Sequence, residues 1–203
     1  INGRSVLLTT GSKDPARAVV RSDVAQHIRL LAPRNRNYGE YPNSPMGAVE
    51  LVRLAVYDAI WYRDAWRVYR SQAETPRPEQ NVALEVLQSL VDERELAIID
   101  TEDEQYLLRA DRFAREFGLR AAFVGSGHEY RRLAEVVTTG RPIIVPVAFP
   151  DPPDVGTPED AAEVTLERLM HWDHAPENLA RLREQGVAIA LTSFRLDKPA
   201  DFL

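Results

Sequence analysis

The sequence contains no cysteine, which excludes disulfide staples, thiol nucleophiles and cysteine-ligated metals. It also lacks any apolar run near the roughly 20 residues needed to span a bilayer, and it has no basic-then-apolar opening of the signal-peptide kind. An excess of positive charge is missing too. Lys and Arg number 25 against 31 Asp and Glu, for a formal charge of −6. The arginines are scattered among acids, as on a solvated surface, so phosphate backbones are repelled and nucleic acid is not an expected partner. There is no fixed repeat, no low-complexity tract and no linker, which predicts a single domain over residues 1–203. The missing cysteines fit an exported protein, and an extracytoplasmic (periplasmic or secreted) location is expected on that ground. What remains is an ordinary globular balance, 44% hydrophobic and 28% charged, with chain enough for one sizeable core.

From about Arg94 onward, short β-rich runs alternate with helical patterns. Glu95–Asp100 reads as a buried strand. In the next segment Leu107, Ala110, Ala114 and Phe117 recur at helical spacing, and Glu102, Asp103 and Glu104 crowd the first turn where the helix dipole favours acids. Gly118 stops that helix, and Leu119–Gly125 is a second strand. A Gly-Ser-Gly-His turn leads to a helix with Tyr130, Leu133, Ala134 and Val137 on one face, closed by Gly140. Arg141–Phe149 is a third strand. After a Pro-rich loop (Pro150–Pro158), a helical region runs from about Ala161 to Gln185, split at Pro176, and a fourth strand starts at Val187. Strand, helix, strand at this spacing predicts right-handed βαβ units and a parallel sheet, in a doubly wound sheet or a barrel.

The first half reads differently. Arg4–Thr10 and Ala25–Leu31 look like strands, followed by a loop rich in Asn, Pro and Gly. Pro45 opens a long amphipathic helix with Val49, Val52, Val56 and Ala59 on one face. Trp61, Tyr62 and Trp66 widen that face and are expected to pack it inward. A further helix covers Asn81 to about Glu93.

The order of these pieces resembles the amidohydrolase superfamily, in particular its imidazolonepropionase-like and Xaa-Pro-dipeptidase-like group. The resemblance is carried by Pro33–Gly39, Pro42–Gly47, Leu107–Tyr130 and the tail from Gly186. It implies an α/β fold, a partial (β/α)8 TIM-type barrel with parallel strands and covering helices. It further implies hydrolysis of a C–N bond by water activated on Zn or a similar divalent metal at the C-terminal strand ends. The ligands expected from the resemblance are a His-x-His on the first strand, a carboxylated Lys or Glu midway, later histidines, and an Asp on the last strand.

His-x-His occurs nowhere in the sequence, and the resemblance places the strand that would bear it upstream of Ile1. Asp100 and Gly125 stand where relatives carry histidines, and Phe194 stands near the last-strand ligand position. Asp197 lies just past that strand. No metal or cofactor is therefore expected to be held by this chain alone. Its partners are expected to be the remaining segments of a parent polypeptide or a partner subunit, with an unknown small-molecule substrate.

The candidate catalytic residues are Asp100, Glu102 and His128. Asp100, Glu102 and Asp103 cluster where a strand ends and suit general acid–base work; capping and dipole compensation of the following helix is the preferred reading and needs nothing more. His128 sits at a strand-to-helix turn, a mouth position in a barrel. His27 reads as a strand residue, and His171 and His174 as an i, i+3 pair that either packs or binds a metal. Gly125–Tyr130 also has the outline of an anion-cradling loop, although Tyr130 replaces the third glycine of a dinucleotide fingerprint. Three functions follow: an amidohydrolase completed by other segments, a catalytically degenerate barrel serving as scaffold, or a small-ligand-binding α/β module.

Overall fold

The computed structural model describes residues 1–11, 14–32, 41–72 and 74–198. The loop segment Pro33–Gly39, one carrier of the resemblance, lies outside them. Helices and strands cluster into two compact units: residues 1–100 with 112–121, and residues 101–111 with 122–203.

In the first unit, β1 (Gly3–Leu8) pairs antiparallel with β2 (Val19–Arg29), and register shifts fall between Ser5 and Leu7 and between Leu7 and Leu8. A four-residue helix, α1 (Pro15–Ala18), precedes β2 and is capped by Asp14. The antiparallel start departs from the all-parallel expectation. A hairpin needs only a short connection, whereas parallel neighbours need a crossover of a dozen or more residues. Parallel pairing begins with β3 (Leu96–Asp100), which runs beside Ala25–Arg29 of β2.

The long helix α2 (Pro45–Ser71) starts where Ser44 accepts a hydrogen bond from the Gly47 N–H, with Pro45 in the first turn. That combination satisfies an orphan amide and presets φ. Its buried stripe is Ala48, Val52, Val56, Ala59 and Tyr62, so Ala48 takes the inward place expected of Val49. Trp61 was expected to pack inward but is 64% exposed. One residue from Tyr62, it lies about 100° around the helix and off the stripe. The expected single helix after Asn81 divides into α3 (Val82–Val86) and α4 (Gln88–Val91), with Leu87 between them.

Beneath these helices, Arg4 is the hub of a polar cluster. Its guanidinium reaches Asp23 at 2.9 Å, Glu95 at 2.8 Å, Ser89 Oγ at 2.6 Å and the Val86 carbonyl at 2.6 Å. Glu95 is almost wholly buried, and the Ser89 hydroxyl also donates to it.

The second unit begins at Thr101 and includes the start of α5 (Glu104–Glu116), whose last turn belongs to the first unit. Here β4 (Ala121–Val124), β5 (Ile143–Pro146) and β6 (Ile189–Thr192) pair in parallel and in chain order. The β4 side chains are all buried, as expected of a sheet covered on both faces. A 3-10 turn (Glu129–Arg132) leads into α6 (Leu133–Thr138), and α7 (Pro158–Glu163) precedes α8 (Leu166–Glu184). Gly140 and Gly186, with φ of 66° and 75°, follow α6 and α8 as their positions predict.

The expected break at Pro176 is not there. α8 runs through it, and the interruption lies at Val164–Thr165, where Thr165 caps the new helix by accepting from the Arg168 N–H. Ala175, Asn178 and Leu182 are buried on either side of the proline, and that packing holds the helix together despite one missing N–H. Among the described residues, no helix is long and apolar enough to cross a membrane.

Arg4→Met should cost about 3–5 kcal/mol, because it strands the buried Glu95 carboxylate. Pairing it with Glu95→Leu should recover much of that loss. Urea denaturation of both variants measures the difference.

Candidate functional site at the end of β4

The residues with most chemical potential lie in the second unit, beyond the C-terminal end of β4. Glu129 is fully buried there. Its carboxylate accepts from the Ser126 N–H at 2.6 Å, Ser126 Oγ at 3.2 Å, the Gly127 N–H at 3.1 Å and Asn178 Nδ2 at 2.7 Å. Asn178, on α8, in turn accepts from the Tyr130 N–H at 2.9 Å. A carboxylate has about four acceptor sites, so this one is saturated.

The arrangement answers two expectations. The Gly-Ser-Gly-His turn does present backbone amides as an anion cradle, but the chain's own Glu129 fills it. Gly125 is a position without room, since a Cβ there would meet Glu129 Oε1 at 2.9 Å and Ile143 Cγ2 at 3.1 Å.

His128 and His171 stack face to face, with ring centroids 3.8 Å apart and planes 9° from parallel. The Tyr130 hydroxyl lies 3.5 Å from His171 Nδ1. Arg131 reaches Glu167 at 3.0 Å. His171 lines a narrow cleft with Ser126, Gly127, Pro146, Phe149 and Asn178. Burial, then His128, then Arg131, hold the His171 imidazole down at about 4. Burial followed by Arg131 also lowers His128. Both shifts favour the neutral imidazole at pH 7. Among the described residues His128 Nδ1 and Glu104 Oε2 are sheltered without a hydrogen-bond partner, and Glu104 is buried at the start of α5.

The other sequence candidates are dispersed. Asp100 ends β3, half-buried, opposite Arg29 of β2. Glu102 is half-buried in the turn before α5. Asp103 accepts from the Tyr106 N–H at 2.7 Å and so caps α5. His27 is a half-buried residue of β2. His174 turns to Asp173 and Arg181 rather than joining His171. Phe194 is 53% exposed, with its N–H donated to Thr192 Oγ1.

These residues do not fit the metal that the resemblance implies. Among the described residues, no three His, Asp or Glu side chains converge as a ligand set. An imidazole binds a metal through an in-plane lone pair, and the stacked rings of His128 and His171 hold theirs in parallel planes. Glu129 has spent its oxygens, and Gly125 offers none.

No family model and no curated protein matches the chain. A solved structure does: the crystal structure of an amidohydrolase from Thermotoga maritima, with a TM-score of 0.76 and 19% identity, over 98% of this chain and 49% of that one. The two share a fold. The chain spans about half the length of that protein, so the α/β architecture with its mostly parallel strands is compatible with part of a TIM-type barrel.

Glu129, Asn178 and the His128–His171 stack were not assembled from sequence. The two histidine motifs were each visible, but positions 128 and 171 lie 43 apart in the sequence, and no local pattern announces their contact.

Glu129→Gln should destabilise the chain by about 1–3 kcal/mol, because an amide NH₂ would face amide donors; thermal unfolding tests it. His171 makes stability fall on acidification. Between its unfolded value near 6.5 and about 4 the folded state binds fewer protons than the unfolded one. The decline should therefore start near pH 6.5 and level off below about 4. His171→Asn should flatten it, as denaturation followed across that range would show.

Proposed function

We propose that this chain is one part of an amidohydrolase-type hydrolase that cleaves C–N bonds, of the imidazolonepropionase-like or Xaa-Pro-dipeptidase-like kind. The supporting observation is the shared fold over nearly the whole chain at about half the length of a solved amidohydrolase. In this reading the metal ligands come from remaining segments of the parent polypeptide or from a partner subunit. The chain itself contributes a neutral imidazole pair beyond β4, able to take up or pass on a proton near the strand ends. β6 is the outer strand of its unit, and Leu191 on it (49% exposed) and Phe194 in the turn after it (53% exposed) offer apolar surface for those missing parts. An exported location is carried by the absence of cysteine, and cell fractionation tests it.

A second reading has its own support. Gly125 is closed by Glu129 and the histidines are stacked rather than convergent, as suits a barrel that has given up catalysis and serves as a scaffold.

Metal content and hydrolysis of amide and Xaa-Pro dipeptide substrates by the full-length parent protein separate the two. Stoichiometric zinc with turnover supports the hydrolase. A metal-free, inert protein leaves the scaffold. In either case Gly125→His should not create a zinc site in this chain, and it should cost about 1–3 kcal/mol through overpacking against Glu129 and Ile143, measured by zinc titration and unfolding.

A further inference from the structure

In the first unit, the end of α2, the segment after it, and α3 and α4 enclose an open groove of about 480 Å³. That size suits a small-molecule ligand. Four arginines line it (Arg63, Arg70, Arg77 and Arg94) against two acids, Glu85 and Asp92. In a chain of net charge −6, this is a local reversal of sign, and a concave cationic surface concentrates anions.

The four arginines are not equivalent. Arg63 contacts Asp64 at 3.1 Å and Asp92 at 3.7 Å, and Arg94 contacts Asp92 at 2.9 Å. Those two guanidiniums are already answered. Arg70 and Arg77 have no carboxylate within ion-pair distance among the described residues. Both sit over Trp66, with their guanidinium carbons 5.8 Å and 5.6 Å from its ring centroid. Tyr62 and Tyr69 meet the same indole edge-on. Cation–π contact orders the two long side chains, so less of their freedom remains to be lost when an anion arrives. Their planar donor forks suit the oxygens of carboxylate or phosphate.

The groove adjoins Asp92 and Arg94, just before β3 begins, whereas Asp100 ends that strand. Barrel chemistry sits at the C-terminal strand ends, so an anion bound here is remote from the strand-end rim of its own unit.

We propose that this groove is a binding site for a small multivalent oxyanion, a phosphate or polycarboxylate whose negative oxygens bridge Arg70 and Arg77. The proposal is independent of the hydrolase reading. Trp66 reports on it directly, because the arginines that would move onto the ligand lie against its ring. In the full chain carrying Trp61→Phe and Trp172→Phe, Trp66 is the sole indole emitter. Its fluorescence is titrated with inorganic phosphate and with citrate, against sodium chloride at matched ionic strength.

A saturable change with phosphate alone assigns the site to phosphate-bearing ligands, and one with citrate alone assigns it to polycarboxylates. Arg70→Gln and Arg77→Gln should each weaken binding about tenfold, with unchanged circular dichroism because both side chains are exposed. If neither anion gives a saturable response beyond chloride, or if the response survives both substitutions together, the proposal is wrong.

Discussion

A carboxylate taken out of water must find its donors inside the protein, and the second unit is organised around how Glu129 does so. The backbone amides of Ser126 and Gly127 turn back onto it, the Ser126 hydroxyl joins them, and Asn178 reaches it from α8. One side chain therefore fixes the turn after β4 and ties that turn to a helix about 50 residues further along. The same demand explains why position 125 is glycine: a larger residue would displace the carboxylate from its donors. It also explains why the turn is not free to bind a phosphate. Its anion is built in.

The histidine pair is placed by this knot. His128 follows the cradle, and His171 lies one α8 turn before Ala175 and two before Asn178, the residue that anchors the helix to Glu129. Burial, followed by neighbouring cationic groups that include Arg131, holds both imidazoles below the ordinary histidine range. The parallel ring planes are the wrong geometry for gripping one cation together.

The strands of the second half were legible because near-continuous apolar runs bounded by glycine leave little choice, and the positive-φ glycines marked helix ends well. The α/β order of those pieces was legible as well, and a solved structure of 19% identity shares that fold. Elements decided by tertiary contacts were not legible. The first half of β2, Val19–Ser22, is exposed and owes its extended form to pairing with β1. α8 passes Pro176 because buried neighbours on both sides outweigh the local penalty. Glu129 carries no signal of its own, since nothing in a window of a few residues says that its side chain points inward. Trp61 and Tyr62 are adjacent and both aromatic, yet only one lies on the buried stripe.

The irregular register of the β1–β2 hairpin has a bearing on the chain's solution behaviour. β1 is the outer strand of its unit, and Val6, Leu7, Leu8, Val19 and Val20 are all exposed in this hairpin. A flat edge of that composition would template the addition of further chains, the route to fibrillar association. The displaced pairings at Ser5, Leu7 and Leu8 are of the kind that raises local twist and makes an edge a less regular template.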